Sequence, residues 1–332
     1  MKAAWYERLG PAHDVLQVGE MASPVPAAGE VLVRVTASGI NPSDTKKRGG
    51  WHGGRLDFPR IIPHSDGAGT VEAVGEGVST DRIGQRVWVY NAQWERAFGT
   101  AAEKIVVPAA LAVPLPDQVS FEAAACIGIP ACTAHQAVLG EGPVEGRTVL
   151  IHGGSGAVGF YAVQVAALSG ATVIATTSSP EKARIAREAG ASHLIDYRRE
   201  PVVEAVLDLT GGHGVDHVVD VDFGANVEID AAILKRGGSV ATYSSTSKPR
   251  VEFDYYGFGY RGARIRFVQI YHLMASAPAI PVRDLTHWME SGDLKHRVGL
   301  CLPLERIADA HAAVEAGGVN GNVVVMIEGG KR

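Results

Sequence analysis

A glycine-rich segment in the middle of the chain has the residue types and spacing that bind a phosphate. Residues 153–159 read Gly-Gly-Ser-Gly-Ala-Val-Gly and contain the pattern Gly-x-Gly-x-x-Gly. With forty glycines in the chain, a glycine turn that holds no ligand is the alternative. The context favours a dinucleotide fingerprint, because the segment follows a predicted strand and opens a predicted helix. Backbone N–H groups at a helix start point at the anion. The expected contacts are Gly153, Gly154, Ser155, Gly156, Ala157 and Val158.

The end of the next predicted strand indicates which dinucleotide is bound. Sites selective for NAD place an Asp or Glu about 20 residues past the fingerprint, on the ribose 2′-hydroxyl. Here residues 176–180 read Thr-Thr-Ser-Ser-Pro, and the first carboxylate is Glu181. Ser178 and Tyr197 offer hydroxyls and Lys182 offers a positive charge, a set that suits a 2′-phosphate. We therefore expect NADPH, with the alternative that Lys182 belongs to a solvated helix face.

Cysteine usage and charge exclude several classes of protein. Three cysteines, Cys126, Cys132 and Cys301, form no Cys-x-x-Cys pair, which argues against zinc and favours a reducing compartment. The first residues lack the apolar stretch of a signal peptide, and the apolar runs fall short of the ~20 residues that span a membrane. The net charge of −5 argues against a general nucleic-acid binder. We expect a cytoplasmic protein with a small-molecule substrate.

The glycine loop requires a sheet to position it, and the middle of the chain has the pattern of one. Six short apolar runs begin at Val149, Thr172, His193, His217, Ser239 and Ile265, the last extending to Ile270. Helical patterns at about 157–169, 180–189, 201–210 and 225–236 separate the first five runs. Strands that alternate with helices predict a parallel sheet, and six strands match a full dinucleotide-binding domain.

The two ends of the chain have a different character. Residues 1–122 contain short alternating strands with glycine turns, which predict a small, mainly β domain. A helix near residues 285–291 is expected to end at Gly292, and residues 322–327 are expected to form a last strand that rejoins the N-terminal domain. The predicted division is 1–122 with 270–332 as a mainly-β domain, and 123–269 as the dinucleotide-binding domain.

Several ordered motifs carry a resemblance to a known family. They are residues 37–44 (Ala-Ser-Gly-Ile-Asn-Pro-Ser-Asp), 64–71 (His-Ser-Asp-Gly-Ala-Gly-Thr-Val), 74–78, 153–159 and 211–216. Together they resemble the zinc-independent quinone oxidoreductase (zeta-crystallin-like) branch of the medium-chain dehydrogenase/reductase superfamily, over nearly the whole chain. The resemblance implies an α/β fold with a Rossmann domain and a GroES-like, mainly-β substrate domain. It also implies a homodimer in which the last Rossmann strand pairs across the interface.

The resemblance bears on metal binding as well. Zinc alcohol dehydrogenases of the superfamily carry a cysteine near position 38 and a Gly-His-Glu triplet near positions 64–66. This chain has Ser38-Gly-Ile-Asn41 at the first place and His64-Ser65-Asp66 at the second. His64 stands where those enzymes have glycine, and Ser65 stands at their histidine. No zinc site is expected, and a zinc alcohol dehydrogenase is the least favoured reading.

The resemblance also implies site residues. Asn41 and Asp44 would line the nicotinamide, Asn41 donating to the substrate oxygen and Asp44 ordering the loop or a water; plain turn chemistry is the alternative. Close relatives carry aromatics where this chain has Lys46 and the pair Trp51-His52. Those three residues, with Tyr90 and Trp94 of a nearby loop, are candidate substrate contacts. Further expected cofactor contacts are Thr133, Tyr243, Ser244 and Asn322.

The sequence therefore predicts an NADPH-dependent, metal-free reductase of quinones or activated α,β-unsaturated carbonyls. Hydride would pass from nicotinamide C4 directly to the acceptor. An enoate or enone double-bond reductase is the alternative within the enzyme class. A catalytically idle NADPH-binding protein, with a structural or sensing role, is the alternative from another class.

Overall fold

The computed structural model describes residues 1–51 and 53–327, which divide into two compact units. The first, here called the mixed-sheet unit, comprises Met1–Pro130, Pro278–Gly292 and residues 296–327. The second, the parallel-sheet unit, comprises Ala131–Ala277 and Asp293–Lys295. In the described residues, no helix has the length and apolar character needed to cross a bilayer.

The strands of the described residues are, in chain order, β1 (Lys2–Trp5), β2 (Gln17–Glu20), β3 (Glu30–Ile40), β4 (Asp66–Val74), β5 (Arg86–Val89), β6 (Lys104–Pro108), β7 (Ala112–Pro114), β8 (Thr148–Ile151), β9 (Thr172–Thr177), β10 (His193–Asp196), β11 (Val215–Asp220), β12 (Leu234–Thr242), β13 (Arg264–Phe267), β14 (Val298–Pro303) and β15 (Asn322–Met326). The α-helices are α1 (Ala12–Val15), α2 (Pro42–Gly49), α3 (Phe121–Ala124), α4 (Gly128–Leu139), α5 (Ala157–Leu168), α6 (Pro180–Glu188), α7 (Val202–Leu209), α8 (Phe223–Ile233), α9 (Tyr255–Gly259), α10 (Ile270–Ser276), α11 (Ala279–Ser291) and α12 (Ile307–Ala316).

The parallel-sheet unit contains the predicted Rossmann sheet. Its strand order is β10-β9-β8-β11-β12-β13, with every neighbouring pair parallel. Val149, Leu150 and Ile151 of β8 are fully buried, because helices cover both faces of the sheet. The order reverses next to β8, and ligands of such sheets bind in the crevice beyond the carboxyl ends of the strands at this point. The predicted six-stranded α/β fold is confirmed.

The mixed-sheet unit is built on a seven-stranded sheet. Six of its strands follow the order β14-β15-β3-β4-β5-β7, and the seventh, β6, pairs with β3. The C-terminal strand β15 runs antiparallel to β3, with Val323 opposite Ile40. The expectation that the last strand rejoins the N-terminal part is therefore confirmed. The expected helix end at Gly292 is confirmed too, because Gly292 takes the left-handed conformation (φ 77°) after Ser291.

Two predicted elements have different bounds in the structure. The helix predicted at 225–236 begins at Phe223 and ends at Ile233, because Leu234 already pairs with Val215 as the first residue of β12. The strand predicted to continue to Ile270 ends at Phe267. Its partner strand β12 offers no residue beyond Thr242 for further pairing, and Ile270 begins α10 instead.

The compact units place two segments differently from the sequence-based boundaries. Residues 123–130 lie with the mixed-sheet unit, where the N–H of Ile129 donates to the carboxylate of Asp66. Residues 270–277 lie with the parallel-sheet unit, because α10 follows β13 after a turn of two residues.

Candidate active site

The glycine loop of the parallel-sheet unit lies between β8 and α5. Gly153 takes the left-handed conformation (φ 67°), and its N–H donates to Thr176 Oγ1 at 3.0 Å. The N–H of Gly154 donates to the Thr176 carbonyl at 3.1 Å. Gly156 caps α5, so that the first N–H groups of the helix open at the carboxyl edge of the sheet. This is the arrangement that receives a pyrophosphate.

The glycines of the loop have different reasons to lack a side chain. A Cβ on Gly154 would lie 2.7 Å from the Cβ of Ala175, and one on Gly159 would lie 2.1 Å from the carbonyl oxygen of Gly153. A Cβ on Gly156 would meet nothing closer than 3.4 Å. Packing within the protein therefore requires glycine at positions 154 and 159, but it does not explain the glycine at position 156. A dinucleotide lying against the backbone at Gly156 would explain it, so this loop fits the cofactor.

The end of β9 fits the predicted 2′-phosphate position. Ser178 follows β9 directly, and Ser179 caps α6 by accepting the N–H of Lys182 at 3.3 Å. Tyr197, half exposed after β10, donates its N–H to the carbonyl of Thr177 at 3.1 Å. The hydroxyl of Thr177 is buried and has no hydrogen-bond partner within the described part of the chain. The backbone thus brings Ser178, Lys182 and Tyr197 to one edge of the sheet.

The remaining predicted cofactor residues occupy several places. Tyr243 and Ser244 follow β12, where the N–H of Tyr243 donates to the carbonyl of Asp220. Thr133 is buried in α4. Asn322 is buried at the start of β15 and donates to the Arg297 carbonyl at 3.3 Å. Within the mixed-sheet unit, Asn322 and Asn41 line the same narrow crevice with Cys126.

Beneath the glycine loop lies a buried ionisable cluster that the sequence reading missed. His152, the residue before the loop, shares a 2.9 Å hydrogen bond with Asp230 of α8. Burial alone would lower the pKa of His152, but the hydrogen bond and charge of Asp230 outweigh it and raise the pKa. Burial, together with the charge of Asp230, raises the pKa of Asp220 to about 6. One oxygen of Asp220 accepts from Asn226 and the N–H of Asp222, while its Oδ2 is buried with no partner in the described residues.

In the mixed-sheet unit, Asn41 is held by two carboxylates. Its side-chain Nδ2 donates to Asp66 Oδ2 at 2.8 Å, and its backbone N–H donates to Asp44 Oδ2, also at 2.8 Å. The second bond closes a capping box at the start of α2, with Pro42 at the first helical position. The Asp66 carboxylate also accepts the N–H of Ile129 at 2.9 Å. The sequence presents Asp66 only as part of His64-Ser65-Asp66, where a histidine beside an aspartate indicates a structural hydrogen-bonded pair. In the structure Asp66 binds Asn41 and His64 binds Ser38.

Burial governs the charge of both carboxylates. Burial raises the pKa of Asp44 to about 6, against the hydrogen bonds from Asn41 and the charge of Lys47. Burial likewise raises the pKa of Asp66 well above its usual range, against the hydrogen bonds from Asn41 and Ile129. Because Asp66 holds the Asn41 amide, we expect it to determine which way that amide points.

A chain of buried hydrogen bonds leads from His311 to the backbone of Asp66. His311 Nε2 contacts His64 Nε2 at 2.9 Å, His64 Nδ1 contacts Ser38 Oγ at 2.8 Å, and Ser38 Oγ contacts Thr100 Oγ1 at 2.7 Å. Thr100 donates to the carbonyl of Asp66, which fixes the direction of the whole chain. Ser38 must donate to Thr100 and accept from His64 Nδ1–H, so His64 Nε2 accepts from His311. Burial lowers the pKa of His64 to about 3, which keeps it neutral as this chain of donors requires.

The candidate substrate residues differ in their surroundings. Lys46 stacks over the half-exposed ring of Trp51 at 4.1 Å. Trp94 lies in the 90–98 loop, 5.7 Å from the ammonium of Lys47. Tyr90 is 1% exposed and packs on Trp88 with its hydroxyl toward the Ala110 carbonyl, which favours a structural role. His52 lies outside the described residues. Among residues 1–51 and 53–327, no group of three or more His, Cys, Asp or Glu could hold a metal ion.

Comparison with known proteins gives consistent matches. Residues 27–117 match the alcohol dehydrogenase GroES-like domain, and residues 157–281 match the zinc-binding dehydrogenase domain. The chain is 32% identical to quinone oxidoreductase of Sus scrofa over 96% of this chain and 95% of that protein. It is similar to Escherichia coli quinone oxidoreductase complexed with NADPH (26% identity, 98% and 100% coverage, TM-score 0.86). It is also similar to a 2-haloacrylate reductase (28% identity, 99% and 100% coverage, TM-score 0.84).

The two kinds of glycine in the loop give a matched pair of variants. Gly156→Ala adds a methyl group that the protein accommodates, so we expect an unchanged melting temperature and at least tenfold weaker NADPH binding. Gly159→Ala forces Gly153 to move, so we expect it to lower both the melting temperature and the affinity. Thermal unfolding and NADPH fluorescence titration measure the two quantities. Unchanged NADPH affinity in Gly156→Ala would show that the cofactor does not lie against this residue.

The buried Asp220 predicts a pH dependence of stability. Its folded pKa of about 6 lies above the value near 4 of an unfolded Asp, so its stabilising contribution is present below about pH 4 and is lost as the pH rises through 6. Asp220→Asn stays neutral, so we expect its stability relative to wild type to rise by on the order of 2 kcal/mol between pH 4 and pH 8. Denaturant unfolding at both pH values measures this, with the exposed Asp208→Asn as control. A pH-independent difference would show that Asp220 ionises normally.

Proposed function

Because the chain belongs to the quinone oxidoreductase branch of the medium-chain dehydrogenase/reductase superfamily, we propose that it is an NADPH-dependent, metal-free reductase of quinones or activated α,β-unsaturated carbonyls. The observation that carries the proposal is the Asn41 amide, fixed by Asp66 at 2.8 Å in the mixed-sheet unit. An amide in this position is a hydrogen-bond donor and a poor zinc ligand. Quinones and α,β-unsaturated carbonyls delocalise the negative charge of the incoming hydride onto oxygen, so one hydrogen-bond donor at that oxygen is sufficient for their reduction.

Asn41 has a specific part in the proposed chemistry. Its Nδ2 carries two hydrogens, of which one is bound by Asp66. The second hydrogen is the donor that we assign to the oxygen of the acceptor, where negative charge develops during hydride transfer. Asp66 is then a positioning residue, because its carboxylate orients the amide before the acceptor arrives. NADPH supplies the hydride, and the protein holds the acceptor in place.

The preference for NADPH rests on the end of β9. Ser178, Lys182 and Tyr197 supply hydroxyls and a positive charge there, and the buried hydroxyl of Thr177 lies beside them. The residues between β9 and α6 contain no carboxylate. A site selective for NADH would use such a carboxylate to bind the ribose 2′-hydroxyl. The NADPH complex of the E. coli relative supports the same choice.

The 2-haloacrylate reductase among the similar structures keeps a double-bond reductase as the second candidate. Both candidates share hydride transfer to a conjugated acceptor and differ only in the acceptor. A non-catalytic NADPH-binding role is the third possibility, and the assay below separates it from the others.

The proposed activity is tested by NADPH and NADH oxidation with quinones, enones, enoates and saturated aldehydes, in the presence of chelator. We expect turnover of conjugated acceptors, with a clear preference for NADPH, and no turnover of saturated aldehydes. The single amide of Asn41 can stabilise the delocalised charge of a conjugated acceptor but not the localised alkoxide that forms from an aldehyde. Asn41→Ala should reduce kcat by about 100-fold, the loss typical of one oxyanion donor, with little change in NADPH affinity. Aldehyde turnover that chelator abolishes would contradict the metal-free mechanism. NADPH binding without any turnover would favour the non-catalytic role.

We also propose that the protein is a homodimer joined through the edge strand β13. The exposed backbone of an edge strand readily pairs with another chain. Exposed aromatic side chains lie on or near this edge, which is typical of an interaction surface. They are Phe253, Tyr255, Tyr256, Tyr260 and Phe267.

Sedimentation equilibrium measures the proposed association. We expect a dimer at micromolar concentration for wild type and a monomer for Phe267→Asp, because a buried unpaired carboxylate at the interface is costly. Ile280→Asp, an exposed apolar residue in α11 outside this edge, is the matched control and should remain dimeric. A monomeric wild type would contradict the proposal.

A further inference from the structure

A buried cluster of three ionisable side chains adjoins the glycine loop of the parallel-sheet unit, and the proposed hydride transfer does not use it. His152 directly precedes Gly153 and shares a 2.9 Å hydrogen bond with Asp230 of α8. Asp220, the last residue of β11, contributes a second carboxylate, and both carboxylates are fully buried. The cluster therefore contains one more carboxylate than imidazole, in a place that is closed to solvent.

Strand pairing places Asp220 beside the glycine loop. β11 lies next to β8, and the N–H of His152 donates to the carbonyl of Val219 at 3.0 Å. On the other side of Asp220, Val221 lies against the loop, since a Cβ on Gly153 would lie 3.5 Å from Val221 Cγ1. A pyrophosphate received by the loop would therefore bring negative charge close to a carboxylate that is already buried.

Each carboxylate of the cluster keeps one buried oxygen that has no hydrogen-bond partner in the described part of the chain. These oxygens are Asp220 Oδ2 and Asp230 Oδ2. The other oxygen of Asp220 accepts from Asn226 Nδ2 at 2.7 Å and from the N–H of Asp222 at 2.8 Å. A buried carboxylate oxygen without a donor is costly when it is charged, and a proton removes that charge. Asp220 Oδ2 therefore offers a position for an additional proton.

The charges around Asp220 agree with this position. Burial and the charge of Asp230 raise the pKa of Asp220 to about 6, and the charge of His152 opposes them. Two further titratable groups flank Asp220. The carboxylate of Asp222 accepts a backbone N–H from the loop after β12, and burial together with the charge of Asp220 raises the pKa of the Tyr243 hydroxyl, which therefore stays neutral. Asp220 is thus the member of this group that changes charge near neutral pH.

We propose that NADPH binds together with a proton, which is taken from the solvent and received by Asp220 Oδ2. Negative charge that arrives at the glycine loop repels a charged Asp220, and protonation removes this repulsion. Binding and protonation then favour each other, so that NADPH affinity falls as the pH rises through the range in which Asp220 ionises. This inference rests on the proposed NADPH binding and adds to it a pH dependence that originates in the protein.

Calorimetric titration with NADPH at pH 7 counts the proton. The heat of binding is measured in buffers of different ionisation enthalpy, and the slope gives the number of protons taken up per NADPH. We expect wild type to take up roughly 0.4 of a proton more than Asp220→Asn, as for a carboxyl group whose pKa rises from about 6 to about 7 on binding. Taking the difference between the two proteins removes the contribution of the 2′-phosphate, which itself titrates at about pH 6.

The pH dependence of NADPH affinity is a second signature of the proton. Asp220→Asn resembles the protonated side chain, so we expect it to bind NADPH within about twofold of wild type at pH 6 and on the order of tenfold more tightly than wild type at pH 8. A substitution that only disturbed the loop would weaken binding at both pH values. Asp208→Asn removes an exposed carboxylate from α7 and is the control, which should follow wild type.

Wild type with NADH provides a measurement that needs no variant, because NADH keeps the pyrophosphate and lacks the 2′-phosphate. We expect proton uptake on NADH binding as well, and NADH binding without it would overturn the inference. Equal proton uptake and equal pH dependence of NADPH affinity in wild type and Asp220→Asn would also overturn it, while the proposed cofactor stands. Absence of NADPH binding would instead overturn the proposed function, and this inference with it.

Discussion

Two segments of the mixed-sheet unit converge on the buried carboxylate of Asp66. It accepts from the side chain of Asn41 at the end of β3 and from the N–H of Ile129 in α4. A Cβ on Gly128 would lie 2.2 Å from its Oδ1, so the carboxylate also dictates a glycine next to its partner. A buried carboxylate without these donors would be costly. The position of the Asn41 amide, and with it the proposed chemistry, therefore depends on this one side chain.

Buried histidines of the two units are accommodated by two different electrostatic means. In the mixed-sheet unit, burial lowers the pKa of His64 and of His311, and both ring nitrogens of His64 hydrogen-bond to neutral groups. His64 takes a left-handed conformation (φ 79°), which is rare for a residue with a side chain. In the parallel-sheet unit, His152 is paired with Asp230, which raises its pKa. The His152–Asp230 pair adjoins the proposed phosphate-binding loop, because His152 directly precedes Gly153.

The candidate site combines positions required by folding with positions that folding leaves unexplained. Gly154 and Gly159 are required by contacts within the protein, whereas Gly156 has space for a side chain. Asp44 is explained by the capping box on Asn41. Gly156 is therefore the position of the glycine loop that points to a bound ligand.

The sequence by itself determined the elements and motifs whose signals are local. The β8–loop–α5 unit, the six strands of the parallel sheet and the cap at Gly292 are each encoded within a few neighbouring residues. Only the tertiary structure decided the partners of Asn41, His64, Lys47 and His152. Asn41 and Asp66 are 25 residues apart, His152 and Asp230 are 78 apart, and His64 and His311 are 247 apart. Sheet register and helix packing bring these side chains together, and no periodicity along one chain records which distant residues will share a hydrogen bond.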